Sequence, residues 1–567
     1  MELSILFKHI CFCFTGHAKG EDMVKHFIAG LGGLDKSKLL QIGMDGPNVN
    51  WKFFDIIQRK LQDEFGSTVL NIGSCGLHIV HNSFKAGFSK SGWNIGDFLG
   101  ALFYLFKDSP ARRDDFFEIT GSTTLPLKFV QHRWLENVPV VERAIQILPN
   151  VNKYIKAVEE RKHPHPGNKS FDTVKEHCKD ALILTKLHFF KFIALKLQPF
   201  LISYQTNRPM ICFLGDDLCA LLRSLMSLFM LKDKIEKSDS KLAKTDVSDK
   251  SLYCNYKAVD MGFSAGKSLS ESSVSDRQKM EVKMSARDCL VEIVKKLLTK
   301  APVAYALVRH LSCLNPVNMS KTPDLCKVKF RRLLAELLKT KQVKENECDD
   351  MVQEYSSFLD SIPVIGRDKF EEFNKNQQSV DEFFRDVMSS TQFVKLYELV
   401  KVLLLLSHGQ AAVERGFSVN KEVEVENLKH QSLIAQRIIC DYVSSVGGIL
   451  NVPVTEPMLK EARSARQKYE TYLENERKKK KSQESLNTRK RQLNEIEEYR
   501  SKKQKLESSI SELVMLSEKL YEKAESTGKI DFVSQANAMR RVMKEKQQQV
   551  IELEEKIKNG VDSLKKL

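Results

Sequence analysis

None of the 12 cysteines forms a C-x-x-C pair; Cys11 and Cys13 are the nearest neighbours. That excludes a secreted disulfide framework and points to a reducing compartment. A signal-like start is also missing, because "ILFKHICFCF" is interrupted by Lys8 and no small-residue cleavage site follows. Long unbroken apolar runs are scarce. The stretches 187–205 and 210–233 carry Lys191, Lys196, Asp216, Asp217 and Arg223, so they read as core helices rather than membrane spans. Acidic residues are in deficit as well. The formal net charge is +16 with a pI near 9.1, which favours an acidic partner, nucleic acid ahead of an anionic membrane.

What is present divides the 567 residues into segments of different character. The apolar fraction of 42% is enough for real cores. Between 38 and 134, "KLLQIGMD" reads as a short strand ending at Asp45, and Phe53, Phe54, Ile57, Leu61 and Phe65 follow at helical spacing. "STVLNIGSC" reads as a second strand before a helix that carries Phe84 and Phe88. Alternating strands and helices predict an α/β layer. From about 150 to 392 the pattern becomes helical, broken by a Lys/Ser/Asp-rich piece, 234–285, expected to be a mobile loop. Beyond Pro457, Leu506, Leu513 and Leu520 recur at intervals of seven, as do Met543, Val550, Ile557 and Leu564. This is coiled-coil spacing. Gly528 interrupts it, so one long rod and a helical hairpin both fit.

Half of the net charge lies between Arg477 and Lys505, where 12 Lys/Arg face 4 Glu. Within it, Lys478, Lys479, Lys480, Arg489, Lys490 and Arg491 fit either a solvated helix face or phosphate contact and nuclear import.

Four groups could carry chemistry. Asp45, at the end of an apolar strand, is placed either to bind a ligand or to cap the next helix. Cys75, His78 and His81 stand three apart in "SCGLHIVH"; they allow a zinc site, although no fourth ligand is visible, or buried packing. Arg133 and Trp134 follow the strand-like "LPLKFV" and fit base stacking or the core. Glu414, Arg415 and Phe417 lie in "AAVERGFS", just after the apolar "FVKLYELVKVLLLL". A run apolar on so many sides must be covered, by another chain or by its own core.

Taken in order, "MDGPNVN", "SCGLH", "QHRW", a long helical middle and "AAVERGFS" resemble the hAT superfamily of DNA transposases over about 26–450. The resemblance implies a partial RNase H-like core over 26–148, a helical insertion over 149–390 and a dimerisation region over 391–450 that completes the core. A basic coiled coil or hairpin over 456–567 follows. It further implies Asp45 and Glu414 as inherited catalytic, metal-binding carboxylates, Cys75 and His78 as a structural C-x-x-H pair, and Arg415 and Phe417 as signature neighbours. Arg133 and Trp134 would lie near the cleaved DNA. Two Mg²⁺ ions would hold the reacting oxygens were the site intact.

Two features depart from the family. Its first catalytic aspartate has no counterpart, because Glu2, Glu21, Asp22 and Asp35 are the only acids before Asp45 and none lies in a strand-like pattern. The spacing of a BED-type zinc finger is also absent, and 1–25 is an atypical start, expected to reflect a replaced first exon or a truncated gene model. The expectation is a nuclear, transposase-derived protein without nuclease activity and without a required cofactor. It would dimerise through 391–450 and contact DNA, with an unassigned partner for the coiled coil. An active metal-dependent transposase and a coiled-coil scaffold are the alternatives.

Overall fold

The computed structural model describes residues 19–388, 391–425 and 430–566. The chain divides into two compact units, Met1–Tyr442 and Val443–Leu567. Helix accounts for 77% of the structure and strand for 1%, so the α/β layer expected over 38–134 does not form among the described residues. None of the helices among them is long and apolar enough to cross a membrane.

The two expected strands do run side by side. Gln41 and Leu70 form a single parallel bridge, Leu70 N–H donates to the Leu40 carbonyl (2.8 Å), and Cys75 N–H donates to that of Met44 (2.9 Å). They stop short of a sheet because side-chain amides take the places of further strands. Gln58 brackets Val69, donating to its carbonyl and accepting from its N–H, both at 2.9 Å. Gln41 brackets Ser407 in the same way, at 3.1 and 2.7 Å. A side-chain amide satisfies one residue's backbone groups without extending the ladder.

The helix Asn48–Phe65 buries Phe53, Phe54, Ile57 and Leu61, as their spacing predicts. With Val24, Ile42, Met44 and Val69 they form a small apolar cluster of their own. Phe65 instead remains 43% exposed, where the helix ends at Gly66 in the left-handed conformation (φ 66°). A much larger core gathers the helices from Gly76 onward. There the helices Gly76–Lys90 and Asp276–Lys300 approach closely at Gly87. A Cβ at that glycine would lie 2.4 Å from Ile293 Cγ1 and 2.7 Å from the Cys289 carbonyl oxygen.

The segment 234–285 is not a bare loop. It folds into short helices, Asp239–Leu242 and Phe263–Glu271, with turns between them. Leu242, Val247, Val259, Met261 and Leu269 are buried in the core, so enough apolar side chains lie among its lysines and serines to hold it down. The apolar run before Glu414 is covered within the chain on one side only: Leu396, Leu399, Val400, Leu403 and Leu404 are buried in the same core, while Val394, Val402 and Leu405 remain exposed.

The smaller unit is a helical hairpin. The helices Glu456–Thr527 and Ile530–Lys566 are separated at Gly528, in the left-handed conformation (φ 66°). Lys503 pairs with Glu554 (2.6 Å), Lys546 donates to Ser509 (2.8 Å) and Tyr521 to Asn537 (2.9 Å). As one number rises the other falls, so the helices are antiparallel. Leu506, Leu513, Leu520, Met543, Val550, Ile557 and Leu564 are half-buried along this pair. Lys478, Lys479, Lys480, Arg489, Lys490 and Arg491 are all exposed, N-terminal to the paired stretch.

Candidate functional site

Asp45 and Glu414, 369 positions apart in sequence, line one cleft of about 620 Å³ in the larger unit. The paired extended segments deliver Asp45 at one wall. It does not cap the next helix, whose N-cap is Pro47; its carboxylate instead accepts a hydrogen bond from the Asn50 side chain. Glu414 arrives by a chain pinned at three successive points after the buried Leu406. Ser407 is held by Gln41. The buried His408 donates from Nε2 to the Tyr204 carbonyl (3.1 Å), and Gly409 lies against Leu77 and Cys75. The helix Ala411–Val423 then begins, and Glu414 occupies its first turn. A carboxylate there is favoured by the amide dipoles of the helix start.

The partner of Glu414 is Arg133. The guanidinium donates to Glu414 Oε2 at 2.9 Å and to Glu136 Oε1 at 3.0 Å, so one cation bridges two acids. The other oxygen of Glu414 faces His78 Nε2 at 3.6 Å. The pKa of His78 is raised, first through the neighbouring Cys75 side chain and then through the charges of Glu414 and Asp45, against the opposing effect of burial. His81 lies deeper and behaves oppositely: its Nδ1 accepts from Leu135 N–H (3.3 Å). Burial, followed by the charges of His78, Arg133 and His132, lowers its pKa to about 4. A neutral ring that accepts at Nδ1 carries its proton on Nε2.

The expected residues are therefore distributed unevenly. Asp45, His78, Arg133, Glu414 and Phe417 line the cleft, with Phe417 63% exposed at its edge. Cys75 is buried and acts on His78 from behind. Trp134 is not among the cleft-lining residues; it packs among Phe129, Phe84 and Phe190 at ring distances of 5.3, 6.4 and 6.2 Å. The Arg415 side chain lies outside the described residues, as do Glu2 and residues 1–18. Glu21 and Asp35 have local tasks, Glu21 pairing with Lys52 (2.7 Å) and Asp35 capping the turn at Ser37.

Sequence reasoning missed Glu136, the third acid of the cleft, together with Asn50 and Lys421. Glu136 carried a local signal, three residues after Arg133 in a short helical turn, but nothing in the sequence marked that turn as facing Glu414.

The donor set does not suit Mg²⁺, which requires several hard oxygen ligands in near-octahedral array. Here both oxygens of Glu414 are faced by Arg133 and His78, and a second ion would meet a fixed positive charge. Cys75, His78 and His81 likewise form no cluster of converging ligand atoms among the described residues. No model of a known protein family matches the chain, and no curated protein does.

Proposed function

We propose that the chain is a transposase-derived protein of the hAT type. In this reading it keeps the RNase H-like arrangement of its carboxylates but has given up their metal chemistry, and it works by assembly and nucleic-acid contact. The observation that carries it is the meeting of Asp45 and Glu414 in one cleft, with Arg133 bridging Glu414 and Glu136. A guanidinium in that position supplies the charge that a metal ion would otherwise supply. It gives Glu414 and Glu136 a structural task, because hydrogen bonds to charged partners are among the stronger polar contacts.

Assembly is supported by apolar surface left exposed within 391–450. Ile438 and Ile439, on the helix His430–Ser445, are 59% and 61% exposed, and Phe417 lies exposed on the helix Ala411–Val423. Self-association through 391–450 would cover them. DNA contact is assigned to the exposed basic stretch 478–491, with the nucleus as its compartment. Phosphate contacts of that kind lose affinity with salt by roughly 0.9 log units per contact per decade of salt and read no sequence.

A metal-dependent nuclease is the second reading, favoured by three acids on one cleft. Plasmid nicking with Mg²⁺ or Mn²⁺, run beside Asp45→Asn and Glu414→Gln, separates the two. The proposal expects no cleavage by the parent, together with salt-sensitive DNA binding that a charge-neutral 478–491 variant loses. Cleavage by the parent that disappears in both carboxylate variants would establish the nuclease instead.

A further inference from the structure

Away from the cleft, Asp115 and Glu118 stand three positions apart on the helix Pro110–Thr120, so their carboxylates leave the same face. His163 reaches them from the turn that ends the helix Val138–Glu159. That turn is closed by two backbone hydrogen bonds, Lys162 N–H to the Ala157 carbonyl and Arg161 N–H to that of Val158, both at 3.0 Å. Arg161 takes the left-handed conformation there (φ 59°), the geometry of a Schellman motif. The imidazole is thus delivered by a defined backbone path.

One ligand atom from each of the three side chains lies within 4.8 Å of the others. His163 Nδ1 and Asp115 Oδ1 are 3.4 Å apart, long for a hydrogen bond. Two ligands of a tetrahedral zinc ion, with bonds of about 2.0–2.1 Å, lie roughly 3.3–3.4 Å from each other. A second observation points the same way. Tyr154 is fully buried against Phe106 and Phe116, yet its hydroxyl has no hydrogen-bond partner among the described residues. Of the charged groups that act on that hydroxyl, Asp115 is the foremost. A His163–Asp115 ion pair by itself would leave both Glu118 and this hydroxyl without a role.

We propose that Asp115, Glu118 and His163 bind one divalent transition-metal ion, zinc by donor type, with a water as fourth ligand hydrogen-bonded to the Tyr154 hydroxyl. An imidazole among two carboxylates favours zinc over magnesium or calcium. The ion fastens the Pro110–Thr120 helix to the turn carrying His163. Asp115 and His163 keep 25% and 16% of their side-chain surface, which leaves a path for the ion.

The test uses the full chain, stripped with a chelator and titrated with Co²⁺ and then Zn²⁺. One equivalent of Co²⁺ should bind with the comparatively strong visible d–d bands of a four-coordinate ion and no sulfur charge-transfer band, and Zn²⁺ should displace it. His163→Ala and Asp115→Asn should each weaken Zn²⁺ binding by about 100-fold, and Tyr154→Phe by about 10-fold. Glu118→Gln, at an exposed position, should weaken it without touching the core, so the test does not depend on the folding of the other variants. Absence of stoichiometric binding, a thiolate-to-cobalt band, or wild-type affinity in Glu118→Gln would each overturn the proposal.

Discussion

Acidification from pH 7 to pH 5 should cost the larger unit about 2 kcal/mol through His81 alone. The folded ring titrates at about 4, against an ordinary value of 6.5. On acidification the unfolded chain therefore takes up this proton first, and stability falls as the pH drops from 6.5 towards 4. At pH 5 the unfolded chain gains about 2 kcal/mol from the proton and the folded chain about 0.1 kcal/mol. His78 acts in the opposite sense. Its folded pKa is raised, so its contribution is complete below 6.5 and is lost as the pH rises through the folded value.

His81→Phe isolates the effect of the deeper ring. The variant leaves Leu135 N–H without its acceptor, a cost of about 1–2 kcal/mol that does not vary with pH. The three tryptophans, Trp51, Trp93 and Trp134, all lie in the larger unit. Urea unfolding followed by their fluorescence consequently reports on that unit. The stability of wild type relative to the variant should fall by about 2 kcal/mol between pH 7 and pH 5, which closes the gap or reverses its sign. A gap constant to within about 0.5 kcal/mol, the usual tolerance of additivity, would refute the reasoning.

Two further outcomes follow from packing. Gly87→Ala forces a methyl against the Cys289 carbonyl and Ile293 and should destabilise the larger unit by about 1–3 kcal/mol, read by the same unfolding experiment. Trp134→Ala removes a half-buried ring from the Phe84, Phe129 and Phe190 cluster. It should cost about 2–4 kcal/mol while leaving DNA affinity, measured at equal folded fraction, within about twofold; a selective loss of affinity would make Trp134 a stacking platform instead.

The pattern of the amino acids determined the helices, because their signals are local. Phe53, Phe54, Ile57 and Leu61 recur at the helical period and are buried on one face. The glycine at 528 needs no neighbour to break a helix, and it stands where the hairpin turns. Charges scattered through 187–205 and 210–233 sufficed to rule out spanning helices, in agreement with the described residues.

Other features depended on partners distant in the chain. "KLLQIGMD" and "STVLNIGSC" have strand-like patterns, but a sheet requires further strands, and Gln58 and Gln41 hold the backbone positions such strands would take at Val69 and Ser407. The richness of 234–285 in lysine and serine concealed seven apolar side chains, from Leu242 to Val282, whose burial depends on the core they meet. Trp134 reads the same in sequence whether it stacks on a base or on Phe190; its neighbours Phe84, Phe129 and Phe190 come from parts of the chain that only the fold brings to it.

The site was legible only as a list of candidates. Asp45, His78, Arg133 and Glu414 were each visible, but their convergence rests on the Gln41–Ser407 clamp, the His408 anchor and the close seat of Gly409. A carboxylate's role is set by the charge nearest to it. For Glu414 that charge is Arg133, 281 positions away in the chain, and only the folded backbone brings the two within 2.9 Å.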